Sequence, residues 1–290
     1  MLSIKNINKT YKDHQALKNI HLEIKKGAIY GLIGHNGAGK TTLIRIITQI
    51  IKADSGSISI DGEPLNPNHR HSIGYLPEER GLYKKMALRD YLIFLGNLRA
   101  MPISDINKSI DLWLEKFDLV HVQKKEIASL SKGNQQKVQF IATVFFNPKL
   151  LILDEPFSGF DPSNAELLKK EILALNRNGV TILFSTHQME AVEELCQEIA
   201  MIDRSEIVLS GNLQEIKKSF GTQEIYVQSK SKLVLPTSFS CHEHKQGVKV
   251  RLAHSQTKSQ LLQQLDINDL QVFEEQDPSL REIFLSKVKR

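Results

Sequence analysis

The stretch GHNGAGKTT runs from Gly34 to Thr42, directly after the apolar run AIYGLI. Gly34, Gly39, Lys40 and Thr41 meet the spacing G-x-x-x-x-G-K-[ST]. That spacing suits phosphate chemistry. Glycines let the backbone turn tightly and come close to a ligand. Backbone N–H groups at a helix N-terminus, aided by the helix dipole, then face an anion. Lys40 would neutralise the β- and γ-phosphates of a nucleotide, and the Thr41 hydroxyl would ligate Mg²⁺. A chance glycine turn is the plainer alternative, but a strand before and a helix after are what phosphate binding needs.

Hydrolysis needs a second group of residues, and LLILDEP supplies carboxylates for it. Asp154 ends an apolar run and Glu155 follows it. Neighbours within a strand face opposite ways, so both reach one site only where the chain already turns. Asp154 would hold the Mg²⁺ shell, and Glu155 would accept a proton from the attacking water or orient it. The alternative is an acid pair that caps a turn.

The elements that must carry these residues are legible as patterns. LSIKNIN and NIHLEIK alternate apolar and polar residues, as half-buried strands do. AIYGLI is apolar on both faces, as a central parallel strand is. TTLIRIITQII reads as a helix packed on it. MALRDYLIFLGNLRA and INKSIDLWLEKFDLV carry apolar residues three and four apart, which makes them amphipathic helices. KLLILDEP, VTILFSTH and EIAMIDR return as strands, separated by the helices AELLKKEILALNRNG, with its stop signal at Gly179, and QMEAVEELCQE. This alternation predicts a parallel sheet with crossover helices. A helical insert at about 86–146 interrupts it. Beyond about Gly211, EIYVQ, KLVLP and VKVRL read as strands, and SQLLQQLD and SLREIFLSKV as helices. The expected division is a domain at 1–215 and a small α+β domain at 216–290.

With 290 residues the chain has room for one large and one small domain. Its 38 Lys and Arg against 33 Asp and Glu give a net charge of +5, dispersed among both signs, so no nucleic-acid partner is expected. No apolar run reaches the ~18 residues of a membrane span, and the N-terminus has no signal-peptide core. Cys196 and Cys241 form no spaced framework, which suits a reducing compartment. The histidines of CHEHK and NHRHS read as surface residues rather than a metal site, because no further ligand stands at a suitable spacing.

In their order these motifs resemble the ATP-binding cassette (ABC) superfamily over about residues 1–211. LSKGNQQK, from Leu130 to Lys137, resembles the family signature, although Ser131 is also an ordinary helix N-cap. Tyr11 resembles the aromatic that stacks on adenine, or is an exposed strand tyrosine. YLPEER, Tyr75 to Arg80, resembles the loop between the sheet and the helical insert. SGFD, Ser158 to Asp161, resembles the loop that crosses to a partner subunit, and His187 resembles the switch histidine of the γ-phosphate. Relatives usually carry Gln at Glu78, Gly at Lys132 and Gln at Asn134. These variants and the tail DPSLREIFLSKVKR resemble an exporter branch that includes sodium-efflux and multidrug-type ATPases.

The resemblance implies an α/β P-loop NTPase cassette with an antiparallel β region, a helical insert and a C-terminal α+β domain. It implies Mg-ATP as ligand. Nucleotide contacts would come from Tyr11, Gly34, His35, Asn36, Gly37, Ala38, Gly39, Lys40, Thr41, Thr42 and Glu78, and across a dimer from Ser131, Lys132, Gly133, Asn134 and Asp161. Mg²⁺ would be held by Thr41, Asp154 and Glu78, and catalysis carried by Glu155, His187 and Lys40. The implied partners are a second copy or a related cassette and a separate transmembrane permease, with the chain on the cytoplasmic face of the membrane. GLYKKMALRD offers Leu82, Lys84, Lys85 and Met86 for docking, or lysines that are merely solvated. A soluble, non-transport ABC ATPase acting on ribosomes or nucleic acid is the alternative. One glycine loop and one signature, with no sustained heptads between them, argue against it.

Overall fold

The computed structural model describes the chain except residues 80, 222–223, 232, 234, 237, 245, 253–256 and 289–290. Arg80 of YLPEER and Lys245 of CHEHK therefore lie outside the described residues, as do Lys232 and Val234 of KLVLP. The chain divides into two compact units, Met1–Gly211 and Asn212–Arg290.

The first unit opens with β1 (Leu2–Tyr11) and β2 (His14–Ile24), joined by a tight hairpin in which Tyr11 pairs with His14. Next come β3 (Ile29–Ile33), α1 (Lys40–Ile47), β4 (Ser55–Ile60), β5 (Glu63–Pro64) and β6 (Ile73–Leu76). The helical insert holds α2 (Leu88–Leu98), α3 (Ile103–Lys116) and α4 (Lys132–Val144). The chain then returns through β7 (Leu150–Asp154), α5 (Pro162–Arg177), β8 (Thr181–Thr186), α6 (Met189–Leu195), β9 (Glu198–Asp203) and β10 (Glu206–Asn212).

Two sheets result among the described residues. One has the order β2-β1-β4-β5 and is antiparallel. The other has the order β10-β9-β3-β8-β7-β6, with parallel pairing from β9 to β6. Every residue of β3, β7 and β8 is buried, because this sheet is covered on both faces. Its carboxyl ends are where the loops that carry the site begin. β2 instead alternates buried and exposed residues towards its end, as one-sided strands do.

α5 begins with Asp161 as N-cap and Pro162 inside the first turn, and stops before Gly179 at φ 90°. Trp113, Phe117 and Phe140 form the aromatic centre of the insert, with ring centroids 5.7–6.0 Å apart. The Arg99 guanidinium stacks on Phe146 at 3.8 Å.

The second unit contains α7 (Leu213–Ser219), β11 (Glu224–Ser229), β12 (Ser240–His244), β13 (Gly247–Arg251), α8 (Lys258–Leu262), β14 (Leu270–Gln276) and α9 (Leu280–Val288). Its sheet has the order β12-β13-β11-β14. The strand expected at KLVLP is corrected here: Leu233, Leu235 and Pro236 lie outside any strand, while Leu233 and Leu235 pack onto the unit's core. Proline lacks the N–H that a ladder needs. The helix expected over SQLLQQLD is shorter, ending at Leu262. β4, β12 and β14 escape the alternation read above. The first half of β4 is Ser and Gly and exposed, and β12 and β14 are polar edge strands.

Phe140 is fully buried at the centre of the insert. Phe140→Ala should lower unfolding stability by about 3–5 kcal/mol. Urea unfolding of the parent and the variant checks this; a loss under ~1 kcal/mol would mean that the aromatic centre does not hold the insert together.

Candidate functional site

The glycine loop connects the end of β3 to α1. Gly37 has φ 83° and Gly39 φ 116°, a region that favours glycine. A Cβ on Gly34 would lie 2.4 Å from the Ile202 carbonyl oxygen, and one on Gly39 would lie 2.5 Å from that of Ala16. No side chain caps the N-terminus of α1, so its leading N–H groups are left for an anion.

Lys40 is buried, and its Nζ donates to the carbonyls of Gly34 (2.7 Å) and His35 (3.2 Å). Burial pushes its pKa down, while Glu155, Asp154 and Glu78 push it up. The Thr41 hydroxyl donates to Asp154 Oδ2 at 3.1 Å. Asp154 is also buried. Burial raises its pKa, the Ser185 and Thr41 hydroxyls lower it, and Glu155 and Glu78 raise it further. A carboxylate held this way gains from a cation beside it.

Glu155 stands just past the end of β7 with φ 50°, a left-handed conformation rare for such a residue. That turn is what lets Asp154 and Glu155 face one cleft. The Glu155 carboxylate is buried and tied on both oxygens. Oε1 accepts from the His187 N–H at 2.9 Å and lies 2.7 Å from His187 Nδ1. Oε2 accepts from the Thr186 hydroxyl at 2.8 Å. A carboxylate has about four lone-pair directions, so one is left for a further donor.

These groups surround a cleft of about 490 Å³ lined by Tyr11, Asn36, Gly37, Gly39, Lys40, Thr41, Thr42, Glu78, Asp154 and Glu155. His14 and Ala16 line it too, and the sequence reading missed both. No sequence pattern marks His14: its pairing with Tyr11 across a tight hairpin is what sets the two side chains at one end of the strand pair. Gly34, His35 and Ala38 belong to the loop but not to the cleft wall, and His187 reaches it through Glu155.

The signature residues stand outside this cleft, although Lys132 borders a smaller pocket together with Glu78 and Glu155. Ser131 caps α4, its Oγ accepting the Asn134 N–H at 3.2 Å. Ser131 and Lys132 are exposed, and none of Ser131, Lys132, Gly133, Asn134 and Asp161 lines the cleft. A Cβ on Gly133 would meet only Asn164 Nδ2, at an ordinary 3.5 Å. Asp161 caps α5 by accepting the Asn164 N–H at 3.0 Å, which lowers its pKa.

α4 ties the surrounding loops together. Gln139 donates to the carbonyls of Pro77 (3.1 Å) and Glu79 (3.2 Å), on either side of Glu78. Gln136 donates to the Ser158 carbonyl at 2.7 Å. A smaller pocket of about 140 Å³, bordered by Glu78, Gln136, Gln139, Glu155, Ser158 and Gly159, lies at this junction.

The donors at Thr41, Asp154 and Glu78 are hard oxygens, the kind Mg²⁺ takes together with phosphate oxygens. Among the described residues no three His, Cys, Asp or Glu side chains form a cage by themselves.

The raised pKa of Asp154 has a consequence for stability. The native carboxyl holds its proton more tightly than the unfolded one. Its stabilising contribution is present below the ordinary value of about 3.9 and is lost as pH rises through the raised native value. Asp154→Asn removes that loss. The nucleotide-free variant should melt above the parent at pH 7.5, with the gap closing towards acid. Thermal unfolding at both pH values checks this, and a variant that melts lower at pH 7.5 rules it out.

Residues 17–158 match the model of the ABC transporter family, and residues 211–288 match that of the ATP-binding protein DrrA1-3-like C-terminal domain. The chain is 43% identical to the uncharacterized ABC transporter ATP-binding protein YhaQ of Bacillus subtilis, over 99% of this chain and 98% of that one. It is 29% identical to the linearmycin resistance ATP-binding protein LnrL of the same organism, over 100% and 99% of the two chains. Its fold matches a dimeric ATP-binding cassette in a post-hydrolysis state bound to ADP and Pi, with a TM-score of 0.68, 25% identity and coverage of 73% of this chain and 99% of that one. The chain belongs to the ABC transporter ATP-binding proteins.

Proposed function

We propose that the chain is the ATP-hydrolysing subunit of a membrane exporter and works as a head-to-tail dimer. The observation that carries this reading is the separation of two half-sites. Lys40, Thr41, Asp154 and Glu155 share one cleft, while Ser131 and Gly133 are displayed away from it on the first turn of α4. Among the described residues nothing requires glycine at 133, which suits a close approach from outside the chain. A second copy, or a related cassette, placed by two-fold symmetry would bring each signature to the other's nucleotide.

In this reading Lys40 leaves the loop carbonyls for the β- and γ-phosphates, and Tyr11 stacks on the base. Thr41, Asp154 and Glu78 hold Mg²⁺, which neutralises phosphate charge when bound. Glu155 takes the proton of the attacking water. Thr186 and His187 keep its carboxylate in place, and His187 serves as the switch to the γ-phosphate. Ser131, Lys132, Gly133, Asn134 and Asp161 serve the partner's nucleotide. Loss of the γ-phosphate removes what joins the halves. Gln136 and Gln139 on α4 would pass that movement to the loops around Ser158 and Glu78.

Among the described residues no helix is long and apolar enough to cross a membrane. The proposed route is a separate permease docked on the segment with the exposed Lys84 and Lys85 and the half-buried Leu82 and Met86. This places the chain at the cytoplasmic face of the membrane. Export as the direction is supported by the relative named for linearmycin resistance, since removal of a compound is one way to resist it. The first unit is assigned as the ATPase domain and the second as the accessory domain.

Glu155→Gln should keep ATP affinity, lower turnover by about 10²-fold or more, and accumulate a dimer with Mg-ATP on size exclusion. Turnover at the parental rate would remove Glu155 from this role. Lys40→Ala should abolish measurable ATP binding in an equilibrium titration; unchanged affinity would end the phosphate-loop reading. Purification from native membranes in mild detergent should bring a polytopic membrane protein in equal amount, whereas ribosomal partners alone would overturn the transport role.

A further inference from the structure

Two walls of the nucleotide cleft rest on one short turn. Between β9 and β10 the chain reverses at Arg204 (φ 45°) and Ser205 (φ 72°). Two consecutive left-handed residues suit a tight hairpin turn, but Asn and Gly are the usual occupants. A residue other than glycine takes that conformation where surrounding bonds over-determine it, and Ser205 is held by such bonds.

On one side the turn grips the glycine loop. His35 Nε2 lies 2.8 Å from Asp203 Oδ1, and His35 Nδ1 lies 2.8 Å from the Asn36 carbonyl oxygen. Both ring nitrogens lie within hydrogen-bond distance of an oxygen, so the ring is held at two points. Asp203 is largely buried, whereas the His35 side chain is 47% exposed. One residue earlier, the Ile202 carbonyl leaves no room for a Cβ on Gly34. The loop therefore leans on the last two residues of β9.

On the other side the turn grips the hairpin that carries Tyr11 and His14. The Ser205 hydroxyl donates to the Gln15 carbonyl at 2.6 Å, and the Ser205 carbonyl accepts the Lys18 N–H at 2.8 Å. Lys18 and Glu206 add an ion pair. Ser205 is buried.

We propose that Asp203 and Ser205 are positioning residues that pre-set the nucleotide cleft, Asp203 fixing the phosphate loop through His35 and Ser205 fixing the base-side hairpin through Gln15. The physical gain is pre-ordering. A loop rich in glycine loses much backbone freedom when it closes on a ligand, and a loop already held loses less. The proposal rests on the reading of this cleft as the nucleotide site.

The test uses the full chain and two probes, Mg-ATP and inorganic tripolyphosphate, which lacks a base. His35→Ala and Asp203→Ala should each weaken both probes by about tenfold. Together they should cost no more than the worse of the two alone, because both break one contact. For Asp203→Ala, kcat at saturating ATP should stay within about twofold. Asp203→Asn, whose amide oxygen still accepts from the ring, should recover most of the affinity and guards against a folding defect in Asp203→Ala. Ser205→Ala should weaken ATP but not tripolyphosphate.

Losses that multiply in the double variant, or affinities equal to the parent's, overturn the Asp203 half. Equal losses for both probes in Ser205→Ala, or none, overturn the other half. A parent chain that binds neither probe overturns the nucleotide reading itself, which a binding parent with indifferent variants does not.

Discussion

Burial sets Lys40 and Asp154 against their own charges, and the architecture of the first unit follows from keeping both charged groups where they are. The ammonium is held by the carbonyls of Gly34 and His35, and the carboxylate by the Thr41 hydroxyl. Each is placed at the end of a fully buried strand or the start of the helix after it. Glu78 and Glu155 add negative charge to the same cleft. A polyanion with a divalent cation relieves the arrangement from both sides, since the phosphates meet the lysine and the cation meets the carboxylates. Such a site is stabilised by its ligand rather than by its own contacts.

The second organising element is α4. Its N-terminus displays Ser131, and within two turns Gln136 and Gln139 reach separate loops of the sheet unit. Glutamine amides three residues apart lie on one helix face. A rigid rod that contacts several loops at once can relay a small displacement of any one of them, which is the physical content of coupling between a nucleotide and a docked partner.

Much of this was legible in the sequence because the relevant signals are local. The spacing Gly34–Gly39–Lys40–Thr41, the all-apolar strands before Gly34 and Glu155, and the stop at Gly179 are each set by neighbouring residues. What stayed hidden is tertiary. His14 enters the cleft by way of a hairpin register, and Glu155 owes its direction to a left-handed backbone that no pattern announces. KLVLP has the composition of a strand, yet Leu233 and Leu235 serve the core of the second unit from outside its sheet. The polar edge strands β12 and β14 are defined by their partners, not by their own residues.

The left-handed Glu155 carries a further implication. A backbone at φ 50° costs a branched or long residue roughly 1–3 kcal/mol, a cost that glycine avoids. The fold therefore holds conformational energy at Glu155, the proposed proton acceptor. Selection for thermal endurance alone would favour replacing that carboxylate, and selection for turnover would keep it. Natural or engineered variants of this cassette that grow hardier by easing that turn are thus expected to become slower machines, a local case of the trade between stability and activity.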